Sequence, residues 1–246
     1  MDKDGEKQAA ARAALNFIQD GQVVGLGSGS TSAFFIQFLG ERVRAGLQIR
    51  GIPTSMRAQQ LAQKYGIRLA TLDEVRTIDV DVDGADEFDP EFQLIKGGGG
   101  ALLREKIVAS VSKNFVVLAD SSKQVPFLGK FPLPIEVIPF AETVLTQRIS
   151  ALGATVMLRK AQDGSAYKTD EGHHILDCHF GKIPDPGALA QTLSGMPGVV
   201  EHGLFIKMAS VVLFAKDNRV IELQPPGSSW GAIEGSNKVG SSWERV

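Results

Sequence analysis

The chain has 246 residues, 43% of them hydrophobic and 22% charged, with a net charge of −2. That balance excludes a disordered chain, and the near-neutral charge removes any global pull towards nucleic acid. Cys178 is the lone cysteine, so neither an intrachain disulfide nor cysteine-rich metal spacing is available, which suits a reducing cytoplasm. The opening residues MDKDGEKQAAARAAL lack the apolar core of a secretory signal, and no apolar run is long enough to span a bilayer.

Ala10, Ala13, Ala14, Phe17 and Ile18 recur at helical spacing and predict a helix over residues 6–19, stopped by Asp20-Gly21. Residues 23–26 read as a short buried strand, followed by a Gly/Ser turn and a helix at 33–39. A strand at 49–52 and a helix at 55–65 come next, then short apolar segments at 67–70 and 78–82. Residues 96–100 read as a loop, 101–110 as a helix and 115–119 as the most apolar strand. Strands alternating with helices imply parallel pairing, because a crossover helix returns the chain to the same end of the sheet. Ligands of such sheets bind outside the carboxyl ends of the strands.

Phe131-Pro132-Leu133-Pro134 marks a boundary. Beyond it, strands at 135–138 and 155–158 flank a helix at 141–152, followed by a strand at 174–178, a helix at 186–194 and a strand at 199–204. That βαββαβ order predicts a small ferredoxin-like unit. Residues 211–215 and 220–222 are expected to rejoin the first sheet as a hairpin around Asp217-Asn218, and the Gly/Ser/Pro-rich tail from Gln224 to be mobile. The expected fold class is α/β: an open, mostly parallel, Rossmann-like sheet with flanking helices, plus a smaller ferredoxin-like α+β domain. Residues 1–130 with 207–246 would form the first domain and 131–206 the second.

Three motifs bear chemistry. Gly25-Leu26-Gly27-Ser28-Gly29-Ser30-Thr31 lies between a strand and a helix, where backbone N–H groups, hydroxyls and a helix N-terminus suit a phosphate. No lysine follows the last glycine, so it is not a P-loop, and a tight turn with a Ser/Thr cap fits equally well. In Asp79–Asp89 the acids thicken towards a strand's carboxyl end, and Asp83 and Asp86 could face one small ligand across Gly84 and Ala85. Paired carboxylates suit proton transfer to and from hydroxyls; a solvated acidic turn is the bland alternative. In Lys96-Gly97-Gly98-Gly99-Gly100 four glycines clear room for a sugar, Lys96 offers positive charge, and Glu105 lies on the helix that follows. A flexible linker would rarely open so regular a helix. Lys123 follows the most apolar strand, at the same expected sheet edge. His173 and His174 are adjacent on a strand and so point to opposite faces, which disfavours a shared metal.

Together, GSGST, DGADE and KGGGGALLREKIVAS, in this order and spacing, resemble the signature segments of the ribose-5-phosphate isomerase A family. SSKQVPFLGKFPLPIEVIPFA and PGVVEHGLF extend the likeness over roughly residues 6–215. The resemblance implies interconversion of D-ribose 5-phosphate and D-ribulose 5-phosphate through a cis-enediol(ate), in the non-oxidative pentose phosphate pathway. It makes Glu105 the general base and places Asp83, Asp86 and Lys96 beside the reacting end of the sugar. It assigns Ser28, Gly29, Ser30 and Thr31 to substrate binding, with Gly84, Ala85, Gly97, Gly98, Gly99 and Lys123 lining the site. It further implies no metal or other cofactor, a homodimer or homotetramer, a sugar phosphate as sole small-molecule partner, and no nucleic acid or membrane. Two rival readings are a non-catalytic sugar-phosphate sensor, which would need a DNA-binding module, and a CoA-transferase-like enzyme, which would leave DGAD without a role.

Overall fold

The computed structural model describes residues 1–217 and 219–226. Its elements run α1 (Lys3–Ala14), β1 (Val23–Leu26), α2 (Ser30–Arg44), β2 (Arg50–Pro53), α3 (Met56–Lys64), β3 (Val80–Gly84), β4 (Glu87–Phe88), β5 (Leu94–Ile95), α4 (Leu102–Ser110) and β6 (Phe115–Asp120). There follow β7 (Leu133–Val137), α5 (Glu142–Ser150), β8 (Thr155–Leu158), β9 (His174–His179), α6 (Pro186–Ser194), β10 (Val199–His202), β11 (Leu204–Phe205), β12 (Val211–Lys216) and β13 (Arg219–Leu223). The chain divides into two units, the first built from residues 1–85, 104–124 and 208 onward, the second from 86–103 and 125–207.

The first unit is a six-stranded sheet ordered β13-β12-β6-β3-β1-β2. Strands β2, β1, β3, β6 and β12 run parallel, and β13 closes the edge antiparallel to β12. All six residues of β6 are buried, as expected of a central strand covered on both faces. Ala11, Ala14, Phe35, Leu39, Val80, Val82, Val116 and Leu118 share one core, and Val108 of α4 joins a second with Val23, Ile52 and Ile78. Each fully buried Leu, Ile or Phe contributes about 1.5–3 kcal/mol. Chain order reverses between β1 and β3, the position outside whose strand carboxyl ends ligands of such sheets bind.

The second unit carries a four-stranded antiparallel sheet ordered β10-β7-β9-β8, with α5 and α6 filling the βαββαβ order read from the sequence. Its core gathers Leu133, Ile135, Val137, Leu145, Ile149, Leu176 and Leu193. A three-stranded ribbon β11-β5-β4 completes it.

Several elements differ from their sequence reading. The first helix spans Lys3–Ala14, because the Asp2 carboxylate caps it by accepting from the Gly5 N–H, and residues 15–17 form a tighter turn. Helix α2 runs through Gly40, a poor helix former, because a side chain there would meet Tyr65 Cβ at 2.5 Å. Residues 67–70 give only one bridge, Gly51 to Leu69, in place of a strand. The second unit also takes in residues 86–103, ahead of the proline-rich boundary, since β5 pairs with β11 from the far end of that unit. Asn218 of the expected hairpin turn and residues 227–246 of the expected mobile tail lie outside the described residues. Among the described residues no helix is long and apolar enough to cross a membrane.

Candidate active site

In the first unit the GSGST turn is built around a buried carboxylate. Asp83 Oδ1 accepts from the Ser28 N–H at 2.8 Å, the Ser32 hydroxyl at 2.9 Å and the Gly84 N–H at 2.7 Å. Gly27 is a packing requirement, since a Cβ there would overlap the Asp83 carboxylate. The Ser28 hydroxyl is held by Thr54 at 2.8 Å and Ser55 at 2.6 Å. Helix α2 starts at Ser30 with Gly29 as its N-cap, so no side chain from the cap position covers the first N–H groups. The Ser/Thr-capped turn is therefore not what forms; the helix end is bare of its own cap, as suits an anion. Ser30 is exposed and Thr31 half-buried on that first turn, Gly84 ends β3, and the Ala85 N–H donates to the Leu118 carbonyl.

Lys123 sits in the short 3-10 turn that follows β6, which Asp120 caps through the Ser122 N–H. Beside it Glu6 of α1 accepts from both the N–H and the hydroxyl of Ser121, each at 2.9 Å, and from Lys3 at 3.2 Å. Burial is the largest influence on Glu6 and acts upward, but these donors together outweigh it and hold its pKa below the usual value of 4.5. Nothing in the sequence signals this tie, because its partners are 115 residues apart.

Helix α4 connects to β6 through Ser112, which bridges Ile78 just ahead of β3. Its last turn thus lies at the amino ends of these strands, and its first turn points towards the carboxyl ends. Val108 of α4 meets β1 at Gly25. Glu105 lies three residues earlier on the same helical face and is only 4% exposed.

In the second unit Asp86, Lys96 and the glycine loop are gathered by the ribbon. The Asp86 N–H donates to Ile95, and Asp86 Oδ2 accepts from the Gly98 N–H at 2.7 Å. Lys96 is 2% exposed; its N–H donates to Gly203, and its ammonium lies 5.4 Å from the Phe205 ring centroid. The four glycines have distinct duties. Gly97 and Gly100 adopt φ of 99° and 82°, a Cβ on Gly98 would approach Asp86 Oδ1 to 2.7 Å, and only Gly99 of the four faces open space.

Three other acids of the motif, Asp79, Glu87 and Asp89, accept from backbone N–H groups. Asp79 accepts from the Val23 N–H and pairs with Lys113 at 2.7 Å. Glu87 accepts from the N–H groups of Gly129 and Phe131, and Asp89 from those of Glu91 and Gln93. Burial pushes both Glu87 and Asp89 upward despite these donors. The adjacent histidines bond different carboxylates, His173 to Glu136 at 2.9 Å and His174 to Glu142 at 2.7 Å.

An open, mostly parallel sheet with a bare helix end, serines and buried carboxylates at its strand ends places the chain among the α/β folds that bind small ligands at that edge. The family model for ribose 5-phosphate isomerase A (phosphoriboisomerase A) matches residues 50–219. Ribose-5-phosphate isomerase A of Rhodopseudomonas palustris strain HaA2 is 53% identical over 221 residues, 87% of this chain and 95% of the relative. The Nitrobacter hamburgensis protein of the same name is 50% identical over 230 residues, 90% and 99% of the two chains. Among solved structures, a D-ribose-5-phosphate isomerase in complex with phospho-erythronic acid is 42% identical with a TM-score of 0.89, covering 91% of this chain and all of that one. Ribose 5-phosphate isomerase A from Methanocaldococcus jannaschii is 43% identical with a TM-score of 0.85, covering 89% and 97%. The chain belongs to the ribose 5-phosphate isomerase A family.

Proposed function

We propose that this chain is an aldose–ketose isomerase that interconverts D-ribose 5-phosphate and D-ribulose 5-phosphate, with Glu105 as the base. Membership of the family carries the reaction, and the buried carboxylate of Glu105 on the first turn of α4 supports its role. The reaction opens the cyclic sugar, moves a proton from C2 to C1 and shifts the carbonyl from C1 to C2. Glu105 takes the C2 proton while O1 gains one, giving a cis-enediol; loss of the O2 proton and return of the first proton to C1 give the ketose. Asp83 or Asp86 handles the hydroxyl protons of ring opening and transfer. Asp83 Oδ1 accepts from three donors that hold the GSGST turn, and Asp86 Oδ2 accepts from the Gly98 N–H. Lys96 offsets negative charge developing on oxygen. The α2 N-terminus with Ser28, Gly29, Ser30 and Thr31, and Lys123, hold the substrate, and Gly84, Ala85, Gly97, Gly98 and Gly99 line its path.

The test is turnover of ribose 5-phosphate in EDTA by wild type and Glu105→Gln. Glutamine keeps the size but cannot accept the proton, so kcat is expected to fall by roughly 10²–10⁴. An inactive wild type would refute the reaction, and near-normal turnover by the variant would refute the base. We also infer a cytoplasmic homodimer or homotetramer. Phe140 at 96%, Val144 at 50% and Ile138 at 37% exposure put large apolar side chains in solvent around the start of α5, which suits a subunit contact. A monomeric mass by light scattering would overturn that reading.

A further inference from the structure

We propose that Arg159 is a positioning residue for the isomerisation: it braces the glycine loop so that the Gly98 peptide holds the Asp86 carboxylate in its working orientation. The proposal rests on the role given to Asp86 above.

Arg159 follows β8 and is fixed on both sides along the backbone, its N–H donating to Ile175 at 2.8 Å and its carbonyl accepting from Tyr167 at 2.9 Å. Its guanidinium is divided between two tasks. Nε donates to Asp177 Oδ2 at 2.9 Å and Nη2 to Asp177 Oδ1, a two-pronged pair anchored on β9. Nη1 turns to the loop and donates to the carbonyls of Gly97 at 3.0 Å and Gly98 at 3.2 Å. Tyr167, whose ring centroid is 5.8 Å from the guanidinium carbon, closes the loop's far end against Gly100.

A trans peptide points its C=O and N–H in opposite directions. The unit joining Gly97 to Gly98 therefore presents its carbonyl to Arg159 and its N–H, at 2.7 Å, to Asp86. The cation on one end strengthens the donor at the other, because hydrogen bonds in series polarise one another. Four consecutive glycines carry more backbone freedom than any other tetrapeptide, so the loop's shape depends on such outside fixtures. An ion pair serving stability alone would need only Nε and Nη2; the placement of Nη1 on two loop carbonyls ties the pair to Asp86.

The experiment is a double-mutant cycle on ribose 5-phosphate turnover by the full chain, using Arg159→Met, Asp86→Asn and the double variant, with circular dichroism to confirm folding. Arg159→Met is expected to lower kcat roughly 10–100-fold, the scale of a small misplacement of a reacting group, with a smaller change in KM. The double variant is expected to be no slower than Asp86→Asn, since the arginine acts through that carboxylate. Losses that multiply, or a wild-type kcat for Arg159→Met, would overturn the proposal. If Arg159→Met does not fold, Arg159→Lys takes its place in the cycle, because lysine keeps a charge beside Asp177 but cannot reach Asp177 and two carbonyls together. Wild-type turnover by Asp86→Asn alone would instead refute the role of Asp86, a result read without any change at Arg159.

Discussion

Gly27→Ala tests how tightly the substrate-holding turn is locked to Asp83. The added Cβ would overlap the Asp83 carboxylate and come within 2.5 Å of Asp83 Cα, a backbone atom, so a side-chain rotation cannot clear it. The ends of β1 and β3 must part. Overpacking of this kind costs about 1–3 kcal/mol. Losing one of the three hydrogen bonds on Asp83 Oδ1 adds about 1.5–3 kcal/mol. The sum, about 2.5–6 kcal/mol, corresponds to a fall in Tm of about 5–24 °C for a chain of this size. The Ser28 N–H moves with the turn, so KM for ribose 5-phosphate is expected to rise as well. Differential scanning calorimetry and initial-rate kinetics read the two effects. Gly99→Ala is the control, with nothing within 4 Å of its added carbon, and its stability is expected within about 0.5 kcal/mol of wild type. If Gly27→Ala melts within about 2 °C of wild type with an unchanged KM, the close approach of β1 to Asp83 does not constrain the turn.

Two further outcomes follow from the acids outside the catalytic set. Glu87→Ala strips the acceptor from the N–H groups of Gly129 and Phe131 and is expected to cost about 2–5 kcal/mol, read from Tm at pH 7; a loss below about 1 kcal/mol would show that water replaces the carboxylate. Glu6 has a depressed pKa, so its stabilisation is present above its ordinary value of 4.5 and is lost as pH falls through its folded-state pKa. Wild type is therefore expected to lose Tm more steeply than Glu6→Gln as pH falls below about 4.5, and parallel curves would refute the tie to Ser121.

The periodic elements were legible because local pattern and tertiary demand agree. Strand β8 and helix α6 fall at the residues read for them, 155–158 and 186–194, and the parallel order follows from helices spaced between buried strands. Strands β4, β5 and β11 were not legible: each is two residues long, too short for any period, and β5 finds β11 more than a hundred residues later. The three motifs stood out as departures from ordinary composition, but their internal division of labour did not. The bonds that commit Asp83 to the turn come from Ser28 and Ser32, more than fifty residues away, and are invisible to a local reading. The KGGGG run reads as empty space for a ligand, whereas Asp86, Leu102 and Tyr167 occupy the surroundings of three of its glycines. Arg159 had no signal at all, being one arginine after one strand.

The late return of the chain to the first sheet bears on how the protein is made. Strand β6 is apolar and buried along its whole length, yet its neighbour β12 begins at Val211, 95 residues after the Val116 it faces. At a synthesis rate of about 5–20 residues per second, β6 leaves the ribosome about 5–19 s before its partner exists. Throughout that interval the growing chain presents an unpaired apolar edge, the kind of surface that recruits other strands. The second unit can condense in those seconds, since residues 86–103 and 125–207 all precede β12. Newly made chains are thus most vulnerable to aggregation at a point when one unit is finished and the other still lacks its last two strands.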